Sequence, residues 1–356
     1  MISRWLLTAV TIISVVSCST SPELESLTQI WEPIGLNEAA VHSIDERNGK
    51  LYTGTDQGVY ISASSDFSSW NGPELNIEGI QYISLVLDNH QKIIAAAHYW
   101  PDFFDEENHV LYESKDDGGT WEAITESAKG LVRQGQPATS FITLRLIEAQ
   151  SEDLDVLFGY SGVVSRSTDG GLNWEVVFEE GHLSFLVPGG NHPDHIWAGG
   201  RVTVHWPYLA TTRDGGETWI NLSEKVSFNS EATALTAAIY PLDPDVVLVG
   251  FISSGPAIRK TTNGGETWET VFQDYRVRTL KNGQKSSGRV YASGEHPSLR
   301  LSVAVSDNYG DSWTTFVYED GPGQMQVNDM TVAEIDGEEV VFLGTNQGVY
   351  SFRLEK

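Results

Sequence analysis

The sequence predicts an all-β fold: a seven-bladed β-propeller of four-stranded antiparallel blades, closed into a ring by the N-terminal strand. Three observations predict it. A short turn sequence ending in tryptophan recurs along the chain, as in Thr261–Trp268 (TTNGGETW). Its tryptophans, at positions 70, 121, 174, 219, 268 and 313, are 45 to 53 residues apart, which is the length of one blade. The two ends of the chain carry complementary parts of one further repeat.

The recurring turn has the composition of a β-hairpin connection. Asp or Asn hydrogen-bonds the turn backbone, and glycine supplies the positive φ that a tight turn needs. The tryptophan opens the next strand and buries a large ring. The remaining copies are Ser114–Trp121, Ser167–Trp174, Thr212–Trp219, the looser Ser306–Trp313 and the degraded Ser64–Trp70, which lacks glycine. The predicted structural turn residues are Asp66, Asp116, Asp169, Asp214, Asn263 and Asn308.

The pattern S/T-x-D/N-x-G-x-T-W resembles the Asp-box, also called the BNR repeat, and the chain resembles Asp-box β-propellers over nearly its whole length. The resemblance implies the fold but no single activity, because the family includes sialidases, xyloglucanases, sortilin-type receptors and photosystem II assembly factors. Sialidase activity is not expected, because the chain lacks the Arg-Ile-Pro signature and has seven repeats where sialidases have six. The assembly factors match better in size and blade count. Their basic patch has local counterparts only in Arg145, Arg276, Arg278 and Arg300.

The last repeat is split between the two ends of the chain. Glu339–Tyr350 matches Lys50–Tyr60, the second and third strands of the first blade, and the chain then stops before any tryptophan turn. Ile30–Ile34 (IWEPI) matches Thr120–Ile124 (TWEAI), which opens with a turn tryptophan. We therefore expect one propeller domain over residues 28–356, in which the N-terminal strand closes the last blade and removes two open sheet edges.

The first residues have the pattern of a secretory signal. Arg4 precedes an apolar run from Trp5 to Val16 that is too short to span a bilayer. The run ends in Val-Val-Ser-Cys, which resembles a bacterial lipobox. We expect a signal peptide over residues 1–17, lipidation of Cys18 and a tether over residues 18–27; the alternative is an ordinary secretory signal with a chance cysteine. The resemblance implies a bacterial envelope location on the outer membrane, facing either the periplasm or the cell surface.

The charge balance excludes several classes of partner. The chain carries 49 acidic and 22 basic residues, a formal net charge of −27. Such a charge repels nucleic acid and anionic lipid headgroups, so we expect membrane contact through the lipid anchor alone. Cys18 is the only cysteine, which excludes an intramolecular disulfide. We expect a monomer without a cofactor, and no metal site, because each tryptophan turn supplies too few acids for a calcium loop.

The candidate site lies on the face opposite the tryptophan turns, where the middle loops of blades two, four and six are long or rich in aromatic, acidic and histidine residues. Aromatic rings there are suited to stacking on sugars or anchoring a partner. The expected ligand contacts are Tyr99, Trp100, Arg201, His205, Trp206, Tyr208, His296 and Arg300. Paired carboxylates can also hydrolyse a glycosidic bond. The candidate catalytic residues are Asp102, Asp105, Glu106, Glu295 and His205.

Two functions remain open at the sequence level. The first is a recognition or assembly protein that binds a glycan or an envelope protein on this face. The alternative is a carbohydrate-active enzyme, a glycoside hydrolase or polysaccharide lyase, that acts on an extracellular glycan at the same face. Carboxylates at glycosidase separation would favour the enzyme, and a plugged channel would favour the binder.

Overall fold

The computed structural model describes residues 24 and 26–355 with internal gaps. The gaps are 64–66, 77–79, 88–91, 100–108, 125–142, 149–154, 161–163, 170–172, 180–181, 190–191, 203–205, 227–231, 254, 256 and 286–287. Within the described part, the chain forms strands that assemble into seven four-stranded antiparallel sheets. The expectation of an all-β propeller built from four-stranded antiparallel blades is confirmed.

The strands are numbered β1–β28 along the chain, and each blade is named in chain order from one to seven. The innermost strands are β2 (Val41–Arg47), β6 (Ile80–Leu87), β10 (Thr143–Glu148), β14 (His182–Gly189), β18 (Ala232–Ile239), β22 (Arg276–Asn282) and β26 (Val327–Ile335). The second strands are β3 (Lys50–Thr55), β7 (Ile93–Tyr99), β11 (Asp155–Tyr160), β15 (His192–Arg201), β19 (Val247–Ser253), β23 (Val290–Glu295) and β27 (Glu338–Thr345). The third strands are β4 (Val59–Ser62), β8 (His109–Ser114), β12 (Val164–Ser167), β16 (Pro207–Thr212), β20 (Ile258–Thr261), β24 (Ser302–Ser306) and β28 (Gly348–Glu355). The outer strands are β5 (Trp70–Leu75), β9 (Glu122–Ala123), β13 (Glu175–Phe178), β17 (Ile220–Asn221), β21 (Glu269–Phe272), β25 (Thr314–Val317) and β1 (Thr28–Gly35).

The sheets follow one another around a ring. Each innermost strand contacts the innermost strand of the next sheet, and β26 of the last blade contacts β2 of the first. Apolar side chains fill the spaces between neighbouring sheets. Between blades four and five, for example, the fully buried Trp197 meets Trp268 edge-on with ring centroids 6.1 Å apart. Burial of large apolar surface between blades is the main stabilising contribution to such a ring.

The N-terminal strand closes the ring as expected. Strand β1 pairs antiparallel with β28, with Trp31 opposite Phe352, so the last blade has the order β1-β28-β27-β26. The Trp31 ring lies 4.7 Å from the Phe352 ring, and Arg353 forms an ion pair with Glu32 across the same two strands. The first and last strands of the chain therefore share one sheet.

The recurring turns, called box turns below, form a repeated hydrogen-bond arrangement. In Thr212–Trp219, the Thr212 hydroxyl accepts from the Gly216 N–H at 3.0 Å and donates to Asp214 Oδ1 at 2.7 Å. Asp214 Oδ1 also accepts from the Thr218 N–H at 2.8 Å, and Trp219 Nε1 donates to the Gly216 carbonyl. The equivalent N–H donates to the Asp or Asn side chain of four other box turns, at 2.8 to 3.0 Å. The accepting residues are Asp116, Asp169, Asn263 and Asn308.

The fifth residue of a box turn, Gly118 in Ser114–Trp121 and Gly265 in Thr261–Trp268, has two physical reasons to be glycine. Its φ is positive, +91° at Gly118 and +90° at Gly265, where L side chains are strained. A Cβ at these positions would also collide with the preceding blade, with Ile61 at 2.3 Å and with Leu222 at 2.7 Å. The turn therefore packs backbone directly onto its neighbour, which explains why the glycine recurs.

Candidate binding site at the loop-face mouth of the channel

The ring has two different faces. Box turns lie beside the first turn of the following or the same blade: the Gly264 N–H donates to the Asp245 carbonyl, and the Tyr309 N–H donates to the Gly288 carbonyl. On the opposite side, middle loops bond to the links between blades, as in Asp56 N–H to the Ala40 carbonyl. We call these the box face and the loop face. The long loops identified from the sequence belong to the loop face.

Six of the seven innermost strands carry a β-bulge near their loop-face end. In these strands, the pairing register with the second strand of the blade shifts across a single residue. The strands are β2, β6, β14, β18, β22 and β26. A bulge redirects the side chain of its extra residue, and bulges recur next to functional sites. The bulged residues, called the rim residues below, are His42, Gln81, Ser184, Leu235, Arg278 and Asn328.

Five of the six rim residues, all but Gln81, line a cavity of about 340 Å³ at the centre of the ring. Residues one to four positions further along the innermost strands complete its described lining. Its volume is within the range of small-molecule sites, roughly 300–1,000 Å³. The described lining of this cavity is supplied by six blades.

Blade six places a charged cluster at the mouth. Glu295 Oε1 accepts from Arg278 Nε at 2.9 Å and from Nη2 at 2.5 Å, and Glu295 Oε2 forms an ion pair with Arg276 at 3.4 Å. Two guanidinium groups share one carboxylate, so the cluster is net positive in a strongly acidic protein. Glu295, a candidate catalytic residue from the sequence, is held by arginines at the mouth, and Arg276 and Arg278 form a local basic patch.

Deeper charges lie on blades one, six and seven. Lys281 and Asp329 line the cavity, and the charges of both act on the pKa of Asp45 on β2. Burial raises the pKa of Asp45; the Lys281 ammonium opposes this rise, and the neighbouring Asp329 carboxylate adds to it. Burial also lowers the pKa of His42 at the rim, so the neutral imidazole is favoured there.

Blade four divides its two predicted aromatic contacts between surface and core. Trp206, at the end of the loop after Arg201, is 60 % exposed. Tyr208 is 1 % exposed in β16 and packs against Phe178 at 5.8 Å. The prediction that Tyr208 contacts ligand is wrong, because strand β16 directs this ring into the space between sheets. Arg201 is exposed and makes no ion pair with any described residue.

Blade six holds its two other predicted contacts in a folded loop. His296 Nδ1 lies 2.7 Å from the Ser298 hydroxyl, and its ring packs edge-on against Tyr275 at 5.5 Å. Arg300 Nη1 donates to the Gly321 carbonyl at 2.5 Å, which ties this loop to the link that leads into blade seven. Both side chains are half-exposed, so they border the loop face, with part of their hydrogen-bonding capacity already used.

Several predicted residues fall outside the described part of the chain. Tyr99 ends strand β7, but its side chain is not described, and the same holds for Arg145 in β10. The others outside the described residues are Cys18, Asp66, Trp100, Asp102, Asp105, Glu106 and His205. Among the described residues, no group of three or more His, Cys, Asp or Glu side chains is arranged to hold a metal ion. The described part also contains no helix with the length and hydrophobicity that crossing a membrane requires.

The rim residues were missed by the sequence analysis, although a weak signal exists. A polar residue interrupts the start of several innermost strands, as in Val41-His42-Ser43, Val277-Arg278-Thr279 and Val327-Asn328-Asp329. Strict alternation explains these polar residues without a bulge, so the local sequence does not reveal the register shift.

Comparison with known proteins supports the fold alone. No family model matches the sequence, and no curated protein sequence matches it either. Among solved structures, the GH74 enzyme of Niastella koreensis superposes with a TM-score of 0.64 at 15 % identity, over 90 % of this chain and 53 % of that one. The GH74 xyloglucanase of Xanthomonas campestris gives 0.65 at 14 % identity, over 91 % and 53 %. The chain thus spans about half the length of these two proteins.

YCF48 bound to a D1 peptide is similar over its whole length. It superposes with a TM-score of 0.61 at 13 % identity, covering 92 % of this chain and 97 % of that one. These solved structures are β-propellers, in agreement with the ring of antiparallel sheets. At such low identity the likeness shows the fold, because one fold supports many unrelated functions.

Proposed function

We propose that this protein is a lipid-anchored recognition protein of the bacterial envelope, which binds a segment of a partner protein across the loop-face mouth of its channel. One observation carries the proposal: Trp206 exposes 60 % of its surface on the loop face, where the fold gains nothing from a large ring. Exposed tryptophans with neighbouring arginines are the residues that most often dominate binding energy at interfaces. Arg201 is close to Trp206 in sequence, and the Arg276–Arg278 pair lies on the same loop face in blade six.

The arrangement of carboxylates supports binding rather than catalysis. Glu295 is the one predicted catalytic acid among the described residues, and its two oxygens are engaged by Arg278 and Arg276. A general acid or nucleophile of a glycosidase needs an accessible carboxyl group paired with a second one across the scissile bond. Both carboxylate oxygens of Glu295 already contact arginines, so neither is free to face a glycosidic bond.

The similar solved structures are compatible with both alternatives left by the sequence. Two are GH74 enzymes, and the third, YCF48, is bound to a peptide. A peptide partner is favoured here because an extended chain can span the rim and place side chains over several blades at once. The glycan-active alternative would rest on Asp102, Asp105 and Glu106, which lie outside the described residues.

Site-specific photocrosslinking tests the proposal. A photoreactive amino acid replaces Trp206 in the full-length protein, in the cells that produce it. A matched control replaces Leu242, which is 65 % exposed in the first turn of blade five on the box face. We expect one defined protein adduct from position 206 and none from position 242. Equal labelling at both positions, or no adduct at 206, would contradict the proposal.

A separate assay addresses the enzymatic alternative. The purified protein is incubated with soluble plant and bacterial polysaccharides, and new reducing ends or unsaturated products are measured. We expect no turnover. Product formation that is lost in Glu295→Gln would overturn the binding proposal and assign catalysis to the same mouth.

A further inference from the structure

The cavity inside the ring has a polar side and an apolar side. Blades one, two, six and seven contribute His42, Ser84, Arg278, Lys281 and Asp329. Blades four and five contribute mainly apolar surface on the other side, from the residues Val187, Pro188, Leu235 and Ala237. A ligand that fills this space must itself have one charged side and one apolar side.

The polar side contains opposite charges that are not neutralised by one another. Among the described residues, no carboxylate lies within ion-pair distance of the Lys281 ammonium. Asp329 accepts two backbone N–H groups, from Ile44 at 3.1 Å and from Met330 at 2.9 Å, but no side-chain cation pairs with it in the described part. Lys281 can therefore form an ion pair with a negative group of a ligand, and Asp329 can form one with a positive group.

A buried hydroxyl group lies on the same polar side of the cavity. Ser84, on β6, is 1 % exposed and lines the cavity, yet its Oγ has no hydrogen-bond partner among the described residues. Hydroxyls of other innermost strands bond to a neighbouring blade, as Ser43 Oγ donates to the Ile83 carbonyl at 2.9 Å and Thr236 Oγ1 accepts from the Leu280 N–H at 3.1 Å. A buried polar group without a partner destabilises the fold, and a ligand that supplies the missing bond explains why this one is present.

We infer that the cavity binds a small zwitterion with an aliphatic side, and that its ligand class is the free α-amino acids with branched apolar side chains. The ligand carboxylate pairs with Lys281 and accepts from the Ser84 hydroxyl. Its ammonium pairs with Asp329, and its aliphatic side chain packs against Val187, Pro188 and Leu235. A sugar fits less well, because Phe185, the one Phe, Tyr or Trp among the described lining residues, is 2 % exposed and offers no stacking face.

This site and the proposed partner surface share Arg278, which lines the cavity and belongs to the basic pair at the mouth. Their main contacts differ, because the ligand contacts Lys281, Ser84 and Asp329 within the channel, whereas partner binding relies on Trp206 on the outer loop face. Each can fail without the other, and Trp206→Ala is expected to leave small-molecule binding unchanged.

The first test uses the unmodified full-length protein and compares whole and half ligands. Isothermal titration and thermal shift are measured with L-leucine, with 4-methylpentanoate, which lacks the ammonium, and with 3-methylbutylamine, which lacks the carboxylate. We expect L-leucine to bind at least tenfold more tightly than either half ligand, because each lost ion pair weakens affinity by about that factor. Equal binding of the three probes, binding of glucose instead, or no binding of any aliphatic amino acid would overturn the inference.

The second test uses variants with matched controls. Lys281→Met is expected to weaken L-leucine binding at least tenfold, and Ser84→Ala is expected to weaken it about threefold. Both variants should retain the circular dichroism spectrum of the parent. Lys285→Met is the control, because Lys285 lies in the first turn of blade six, on the box face. If Lys281→Met binds L-leucine as the parent does, the assignment of the carboxylate contact is wrong. If that variant fails to fold, Ser84→Ala and the half-ligand series decide the outcome.

Discussion

Trp31, near the start of the described chain, stacks on Tyr318 of blade six with ring centroids 5.3 Å apart and planes 3° from parallel. Trp31 belongs to β1, which closes blade seven, so this stack joins the closing strand to the preceding blade as well as to its own sheet. The closure therefore rests on backbone pairing with β28 and on an aromatic contact between blades. Removing β1 would expose the backbone edge of β28, and removing the Trp31 ring would remove the contact with blade six.

Trp31→Ala is expected to lower the free energy of unfolding by about 2–3 kcal/mol, because a half-buried ring loses its contacts with Tyr318 and Phe352. Trp31→Phe, which retains a ring, should cost less than half as much. Deletion of residues 26–36 should cost more than either substitution. Urea denaturation followed by fluorescence measures all three, and unchanged stability of the deletion variant would refute closure by β1.

Asp214 tests the physical role of the box turns. Hydrogen bonds from the Thr218 hydroxyl and N–H lower the pKa of Asp214 to about 2. Asn263 makes the same contacts in blade five, accepting from the Thr267 N–H at 3.0 Å and donating to its hydroxyl at 2.9 Å. We expect Asp214→Ala to lower the free energy of unfolding by about 1–2 kcal/mol and Asp214→Asn to be nearly neutral at pH 7.

The pH dependence of these variants follows from the sign of the shift. The folded-state pKa of Asp214 lies below its ordinary value of 3.8, so its contribution is present above pH 3.8 and is lost as the pH falls towards 2. Asp214→Asn should abolish that part of the acid sensitivity. A variant with Asn that is as unstable as the Ala variant would show that charge, rather than turn geometry, maintains the box.

His195 is expected to make the fold sensitive to mild acid. Thr211 Oγ1 donates to the Ile196 carbonyl, so His195 Nε2 must donate to that hydroxyl at 3.1 Å, and the buried ring is satisfied as a neutral tautomer. Burial, with help from the charge of Arg213, lowers the pKa of His195 from 6.5 to about 4. Folding therefore disfavours protonation, and stability falls as the pH drops from 6.5 to 4, by about 3 kcal/mol in total.

His195→Gln removes this titration and retains a donor for Thr211. Melting temperature measured from pH 7.5 to pH 4.5 should fall less steeply in His195→Gln than in the parent. His296→Gln is the control, since His296 is half-exposed on the loop face, and its curve should follow that of the parent. Parallel curves for the parent and His195→Gln would show that His195 does not protonate on unfolding.

The fold was largely predictable, because each blade repeats one local sequence whose physical demands are specific. The box turn needs glycine at a φ near +90°, as at Gly265, and the tryptophan that follows donates a hydrogen bond to the carbonyl of this glycine. Few other local structures satisfy both requirements. The split last blade was predictable for the same reason, since Trp31 supplies the strand missing from the C-terminal repeat.

The site was less predictable, because it depends on register and on neighbours that are distant in sequence. Tyr208 lies two residues after Trp206, yet one ring is buried and the other exposed, since the strand begins between them at Pro207. Arg278 and Asn328 belong to different blades and reach one channel only because each occupies a bulge. Nothing in the local sequence distinguishes a bulged residue from an ordinary polar position in a strand.

Lipidation at Cys18 stays a prediction with a direct test. Cys18→Ser in the full-length chain should move the protein from the membrane fraction to the soluble fraction, because a tether without acyl chains has no hydrophobic anchor. Metabolic labelling with an alkyne fatty acid should mark the parent and leave Cys18→Ser unlabelled. If the Ser variant still sediments with membranes and the parent takes up no label, the anchor lies elsewhere.

Trp206 and Tyr208 provide the sharpest separation of binding from folding. Trp206→Ala should change the free energy of unfolding by less than about 0.5 kcal/mol, because its ring is 60 % exposed. Tyr208→Ala should cost about 3 kcal/mol or more, because it leaves a cavity beside Phe178.

Partner binding, measured with the protein identified by crosslinking at position 206, should weaken at least tenfold in Trp206→Ala. Leu242→Ala on the box face should bind as the parent does, and the double variant Trp100→Ala/Trp206→Ala should bind no better than Trp206→Ala. A double variant that binds like the parent would exclude the loop face as the working surface.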